Sequence, residues 1–194
     1  SNNSTMDSIY DLTSGTYVLE VTDSLGCVIV FDFPLIEPTL LVSSVNATTL
    51  EGFAKVIDGD TLRLNDIKIR LYGIDAPEVN QKCYKQFFSF NLLNYNKKYY
   101  CGKETSNKLK VFLKNSKIVC QIKGEDRYKR KIAICFKNSI DINAWLVKEG
   151  LAVAYKKYSK RYSYFEKQAR DQKKGIWAGQ FDMPWDWRKK KNKL

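Results

Sequence analysis

The stretch from Val56 to Glu78, V-I-D-G-D-T-L-R-L-N-D-I-K-I-R-L-Y-G-I-D-A-P-E, alternates apolar and polar residues closely enough to impose a β ribbon on the middle of the chain. Lys55 to Ile57 and Thr61 to Leu64 read as strands broken at Asp58-Gly59, and Ile67, Ile69 and Leu71 alternate with Lys68, Arg70 and Tyr72 at period two. One face of the ribbon is apolar and the other carries Arg70. The run ends at Gly73. Pro77 lacks an amide donor and biases Ala76 away from helix, so Asp75 to Glu78 is expected as an irregular loop at a strand end. Loops held by a rigid scaffold are where catalytic side chains concentrate.

Asp60, Asp75 and Glu78 gather three acids around those breaks. Carboxylate and carbonyl oxygens suit calcium or magnesium, whereas zinc and copper favour imidazole or thiolate. The chain has no histidine, so a general base must be another group, and Glu78 is the candidate. Arg70 supplies a fork matched to phosphate. Taken singly, Asp-Gly and Ala-Pro-Glu are also ordinary turn sequences, and a strand arginine is also an ordinary surface group. A second cluster adds to the first. Ile118 to Ile122 and Lys131 to Phe136 read as paired strands, and the polar turn Gly124 to Arg130 between them carries Arg127, Lys129 and Arg130.

With I-D-G-D-T, I-R-L-Y-G-I-D-A-P-E, D-R-Y-K-R and N-A-W-L-V-K-E-G-L-A-V-A-Y in this order, residues 52 to 177 resemble the staphylococcal nuclease (thermonuclease) family. The resemblance implies an α+β fold, a five-stranded OB-type β-barrel with three helices, here preceded by a β-hairpin-like segment. It implies Ca2+ as cofactor, held by Asp60, Asp75 and the backbone carbonyl of Ala76. Glu78 matches the general base, and Arg70 and Arg130 match the two phosphate-binding arginines. Arg127, Tyr128 and Tyr155 match substrate-binding positions, although the spacing before Tyr155 is one residue shorter. Ala76 stands where a family member has threonine, which leaves a carbonyl ligand unaffected. Lys129 stands where glycine is often found, and a positive φ there would cost roughly 1 kcal/mol or more.

Helices are expected over Lys103 to Asn115, Ile142 to Glu149 with Gly150 as its cap, and Tyr162 to Lys174 ended by Gly175. Charge splits the chain. Residues 1–50 hold six acids and no Lys or Arg, about −6, whereas residues 51–194 hold all 33 bases and carry about +18. This predicts two domains, an acidic β segment over 1–44 and a basic barrel domain over 45–194 with a polyanionic partner. The tail Arg188 to Lys193 is expected to add non-specific phosphate affinity or to be a solvated end.

Ser14 to Phe33 reads as two alternating strands around a turn at Asp23 to Gly26, and residues 9–41 resemble the end of a SprB-type cell-surface repeat. A two-stranded remnant is marginal alone, so it is expected to dock, pair with other sequence or move. Of five cysteines, Cys120 and Cys135 lie on neighbouring strands, and Cys83 and Cys101 flank a Tyr/Asn-rich insertion. Two disulfides in those pairs point to a secreted, periplasmic or cell-surface location, with five reduced thiols as the alternative. The insertion, Asn80 to Tyr100, is expected to pack under a loop or offer an aromatic platform to bases. Gln180 to Arg188 is expected to anchor the C-terminus on the barrel.

These expectations describe a monomeric catalytic domain, with no integral membrane segment, that hydrolyses DNA and RNA with low sequence specificity and leaves 3′-phosphate products. The alternative is a non-catalytic OB-fold domain that binds nucleic acid. The presence of Asp60, Asp75, Glu78, Arg70 and Arg130 together favours the enzyme.

Overall fold

The computed structural model describes residues 15–22, 24–35, 48–90 and 93–191. The chain divides into two compact units, Ser1–Val45 and Asn46–Leu194. In the first, β1 (Gly15–Thr22) and β2 (Val28–Leu35) form an antiparallel hairpin in register from Gly15 opposite Leu35 to Thr22 opposite Val28. Gly26 supplies the positive φ that the connection needs.

The second unit is built on β3 (Thr49–Val56), β4 (Thr61–Leu64) and β5 (Ile67–Leu71), which follow one another as antiparallel neighbours. The short β6 (Ile74–Asp75) comes next, then β7 (Lys82–Phe90), β8 (Leu93–Tyr100) and helix α1 (Cys101–Leu113). After α1 come β9 (Lys117–Glu125), β10 (Lys131–Lys137), β11 (Ile140–Asp141) and α2 (Ile142–Lys148). The chain ends through β12 (Val153–Ala154), α3 (Ser163–Asp171), β13 (Gly179–Gln180) and α4 (Pro184–Lys191). The strand order β10-β5-β4-β3-β9 closes on itself because β9 also pairs with β10. The β5–β10 pairing is parallel and the other four are antiparallel, which gives a closed five-stranded mixed barrel of the OB type.

The alternation seen in sequence sets the faces. Leu62, Leu64, Ile69 and Leu71 point into the barrel and are fully buried, while Arg63 and Lys68 are exposed. Each buried aliphatic contributes about 1.5–3 kcal/mol. Leu109 and Leu113 of α1 and Ile142, Leu146 and Val147 of α2 complete this core. Gly150 ends α2 in the left-handed region at φ 63, its N–H donating to the Val147 carbonyl at 3.0 Å, as a helix-terminating glycine does.

Two expectations change. Four α-helices stand among the described residues rather than three, because the expected C-terminal anchor continues from Pro184 as α4, with Phe181, Met183 and Trp185 packed on the second unit's smaller core. The Asn80 to Tyr100 insertion is regular where it is described, with Tyr84 and Tyr100 exposed. It is the hairpin β7–β8, fixed at its base by the Cys83–Cys101 disulfide. That base covers a second, smaller core in which Cys83, Cys101, Val153 and Ile176 pack with Tyr99, Trp177, Phe181, Met183 and Trp185. A second disulfide joins Cys120 to Cys135, directly opposite on β9 and β10. Cys27 is exposed and belongs to neither bond.

Candidate active site

Asp60 closes the tight turn between β3 and β4, where its N–H donates to the Asp58 carboxylate at 3.0 Å. Its Oδ2 accepts from the Ala76 N–H at 2.9 Å and its Oδ1 from the Thr61 hydroxyl at 3.1 Å. Asp75 sits on β6, which pairs with β12 through Val153, and its side chain is fully buried. Arg70, pointing out from β5, joins the two acids: Nη1 pairs with Asp60 and Nη2 lies 2.8 Å from Asp75 Oδ1. The structure therefore brings Asp60, Asp75, Ala76 and Arg70 together.

Electrostatics follow from burial. Burial works against the Asp60 charge, but Arg70 and the hydrogen bonds from Ala76 and Thr61 outweigh it and hold the carboxyl below its ordinary range. For Asp75, burial pushes the carboxyl up, Arg188 pulls against it, and the Asp60 charge pushes the same way as burial. The balance lies above the ordinary value even with Arg188 and Arg70 drawing it down. Asp58 is pushed up to about 6 by burial and the neighbouring Asp60 charge.

Glu78 lies on the loop after Pro77 and is 38% exposed, open to solvent beside a buried pair. Its backbone is fixed by Gln81: the Glu78 N–H donates to Gln81 Oε1 at 3.2 Å, and the Gln81 N–H donates to the Glu78 carbonyl at 2.7 Å. Gly102, at the start of α1, packs against the same loop so closely that a Cβ there would lie 1.9 Å from the Glu78 carbonyl oxygen.

Arg130 precedes β10 and lies two residues before Ile132, the register partner of Arg70 in the parallel β5–β10 ladder. Arg130 is fastened by Asp126, whose Oδ2 accepts from Nε at 2.8 Å and pairs with Nη2 at 2.7 Å. The turn between them has Lys129 at φ 60, so the lysine itself takes the left-handed geometry that glycine adopts more readily. Tyr128 is exposed, with the Arg127 guanidinium carbon 4.9 Å and that of Arg130 5.6 Å from its ring centre. Tyr155 follows β12, and its ring stacks on Trp185 of α4, with centroids 5.4 Å apart and planes 12° apart.

Sequence reasoning missed three contributors. Gln81 is wholly buried, and besides holding Glu78 it donates from Nε2 to the Asp182 carbonyl at 2.7 Å, tying the site to the C-terminal segment. Asn143 is also wholly buried and bonds the Tyr72 and Ala133 carbonyls at 2.9 and 3.3 Å, locking β5 to β10. Arg188 belongs to the site and not to a solvated tail: it lies 2.7 Å from Asp75 and 2.8 Å from Glu78. Lys189 and Lys190 are likewise paired, with Asp186 and Asp182. The cluster Pro184-Trp-Asp-Trp-Arg188 was the one signal in the sequence that this end is packed.

A family model described as staphylococcal nuclease homologue matches residues 68–179, more than half of the chain. The chain belongs to the staphylococcal nuclease family. Asp60 lies upstream of the matched span, and the fold carries it to Arg70 and Asp75, which lie within it. Relatives include the succinoglycan biosynthesis protein ExoI of Rhizobium meliloti, 35% identical over 69% of this chain and 68% of that protein. An uncharacterized endonuclease of Haemophilus influenzae is 36% identical over 70% of both chains. A probable staphylococcal-like nuclease, CAN4, of Oryza sativa is 30% identical over 65% of this chain and 22% of its own length.

Proposed function

We infer that this member of the staphylococcal nuclease family is a calcium-dependent phosphodiesterase that hydrolyses DNA and RNA with low sequence specificity. The observation that carries the reading is the buried pair Asp60 and Asp75, bridged by Arg70, with the half-exposed Glu78 on the adjoining loop. The donor chemistry fits a hard cation, since both side chains offer only oxygen and lie in reach of one guanidinium. Among the described residues no group of three or more His, Cys, Asp or Glu side chains is gathered for a metal. A cation held by Asp60 and Asp75 would therefore take its other ligands from the Ala76 carbonyl, water and the substrate. Bound there, calcium would supply positive charge to stabilise a phosphoryl oxygen.

The chain's own residues carry the remaining steps. Glu78 takes a proton from the attacking water as the water approaches phosphorus in line. Arg70 on β5 and Arg130 just before the adjacent β10 hold the phosphoryl oxygens as negative charge grows on them, and the 5′ oxygen leaves, giving 3′-phosphate products. Arg127 and Tyr128 form an exposed cationic and aromatic surface suited to the neighbouring backbone and base. A net charge of about +18 over residues 51–194 supports a polyanionic substrate. The two disulfides support an oxidising location, secreted, periplasmic or at the cell surface. The N-terminal hairpin, with Val18, Val21, Ile29 and Val30 exposed, supports a separate surface-type module.

Cleavage of single- and double-stranded DNA and RNA, with calcium or with chelator, tests the assignment. Cleavage is expected only with calcium. Glu78→Gln and Arg130→Ala are expected to lower turnover far more than substrate binding, because both groups act mainly in the transition state. Unchanged turnover in both variants would overturn the mechanism.

A further inference from the structure

Arg188 is separated by 113 residues from Asp75 and by 110 from Glu78, yet one guanidinium serves both. Nη2 lies 2.7 Å from Asp75 Oδ2, and Nη1 lies 3.2 Å from Asp75 Oδ1 and 2.8 Å from Glu78 Oε1. Arg70 takes Asp75 Oδ1 as well. Both oxygens of Asp75 thus face guanidinium donors, and the same fork holds Glu78. A cation bound through Asp75 needs a carboxylate lone pair turned toward it, and of the roughly four that a carboxylate offers Arg188 takes two and Arg70 one.

The helix that delivers Arg188 is anchored independently of this contact. Trp185 packs into the second core and stacks on Tyr155, and the Asp182 carbonyl is held by Gln81. The Arg188 side chain itself is 37% exposed, so the guanidinium has a path to solvent while its helix stays in place.

We propose that Arg188 is a tethered counter-cation of Asp75 and Glu78 that competes with the divalent cation and so sets the affinity of the metal site. In the metal-free protein it neutralises two acids that would otherwise repel each other. When a cation binds, the fork gives up Asp75 and swings outward on its anchored helix. The proposal rests on the reading of Asp75 as a metal ligand.

Calcium titration calorimetry on the full chain, without nucleic acid, tests it by comparing the wild-type protein with Arg188→Ala, Arg188→Gln and Asp75→Asn. Removing the competitor is expected to tighten calcium binding about tenfold or more in both Arg188 variants, the scale of one broken charge-assisted hydrogen bond. Asp75→Asn is expected to abolish binding. A tightening distinguishes competition from a structural role, since loss of a mere prop would weaken the site. Arg188→Gln decides the matter if Arg188→Ala does not fold. Equal or weaker binding in the Arg188 variants, with binding lost in Asp75→Asn, overturns the role of Arg188 alone. Calcium bound by Asp75→Asn as by wild type, or by none of the four proteins, overturns the metal reading and this proposal with it.

Discussion

Replacing Gln81 with leucine keeps the side-chain volume and removes two hydrogen bonds that converge from different parts of the chain. Gln81 is fully buried, its Oε1 accepts from the Glu78 N–H and its Nε2 donates to the Asp182 carbonyl. The variant leaves one backbone donor and one backbone acceptor without these partners in a site already filled. At about 1–3 kcal/mol for each unsatisfied group, the loss is about 2–6 kcal/mol, because a leucine of similar volume adds no cavity. For a domain of this size each kcal/mol lowers Tm by about 2–4 °C, so a drop on the order of 10 °C is expected in thermal unfolding. The functional effect exceeds the stability effect at temperatures where the variant is still folded. Gln81 fixes the backbone of the proposed base, so cleavage at saturating calcium should fall even in fully folded protein. A Gln81→Leu protein with wild-type Tm and wild-type cleavage would refute the assignment of Gln81 as the joint between these segments.

Gly102→Ala is expected to destabilise the protein by about 1–3 kcal/mol or more and to lower cleavage, because the new Cβ would meet the Glu78 carbonyl at 1.9 Å; urea unfolding that matches wild type would count against that contact. The Asp126 carboxyl is opposed by burial but held below its ordinary value of 3.8 by hydrogen bonds from Arg130 and Tyr128. Its stabilising contribution is therefore complete above pH 3.8 and is lost as pH falls through the lower folded-state value, and a carboxyl NMR titration midpoint at or above 3.8 would contradict this. Asp126→Asn should release Arg130 and lower turnover at neutral pH, measured by cleavage under saturating calcium. Under oxidising conditions peptide mapping should recover Cys83 linked to Cys101 and Cys120 linked to Cys135. Loops closed at separations of 18 and 15 residues imply about 3 kcal/mol of stabilisation each, so a reduced protein as stable as the oxidised one would refute the contribution.

The sequence by itself determined what depends on neighbours a few residues away. Period-two alternation chose which faces of β4 and β5 are buried, Gly150 ended α2, and the ordered motifs pointed to the barrel. The two cysteine pairs were legible because one flanks a single insertion and the other sits on strands joined by one turn. The third dimension decided what local rules cannot reach. Arg188 reads as the first residue of a basic tail, and although Pro184-Trp-Asp-Trp before it signals packing, nothing local says which acids its guanidinium meets. Gln81 reads as one polar residue in a polar stretch. Only the packing of Trp185, Met183 and Phe181 over the disulfide-fixed base of β7 and β8 brings the C-terminal helix to the acids. Periodicity and turn chemistry are properties of short segments, whereas the pairing of Arg188 with Asp75 across 113 residues depends on a second apolar core that packs the C-terminal segment against Cys83, Tyr99, Cys101 and Val153.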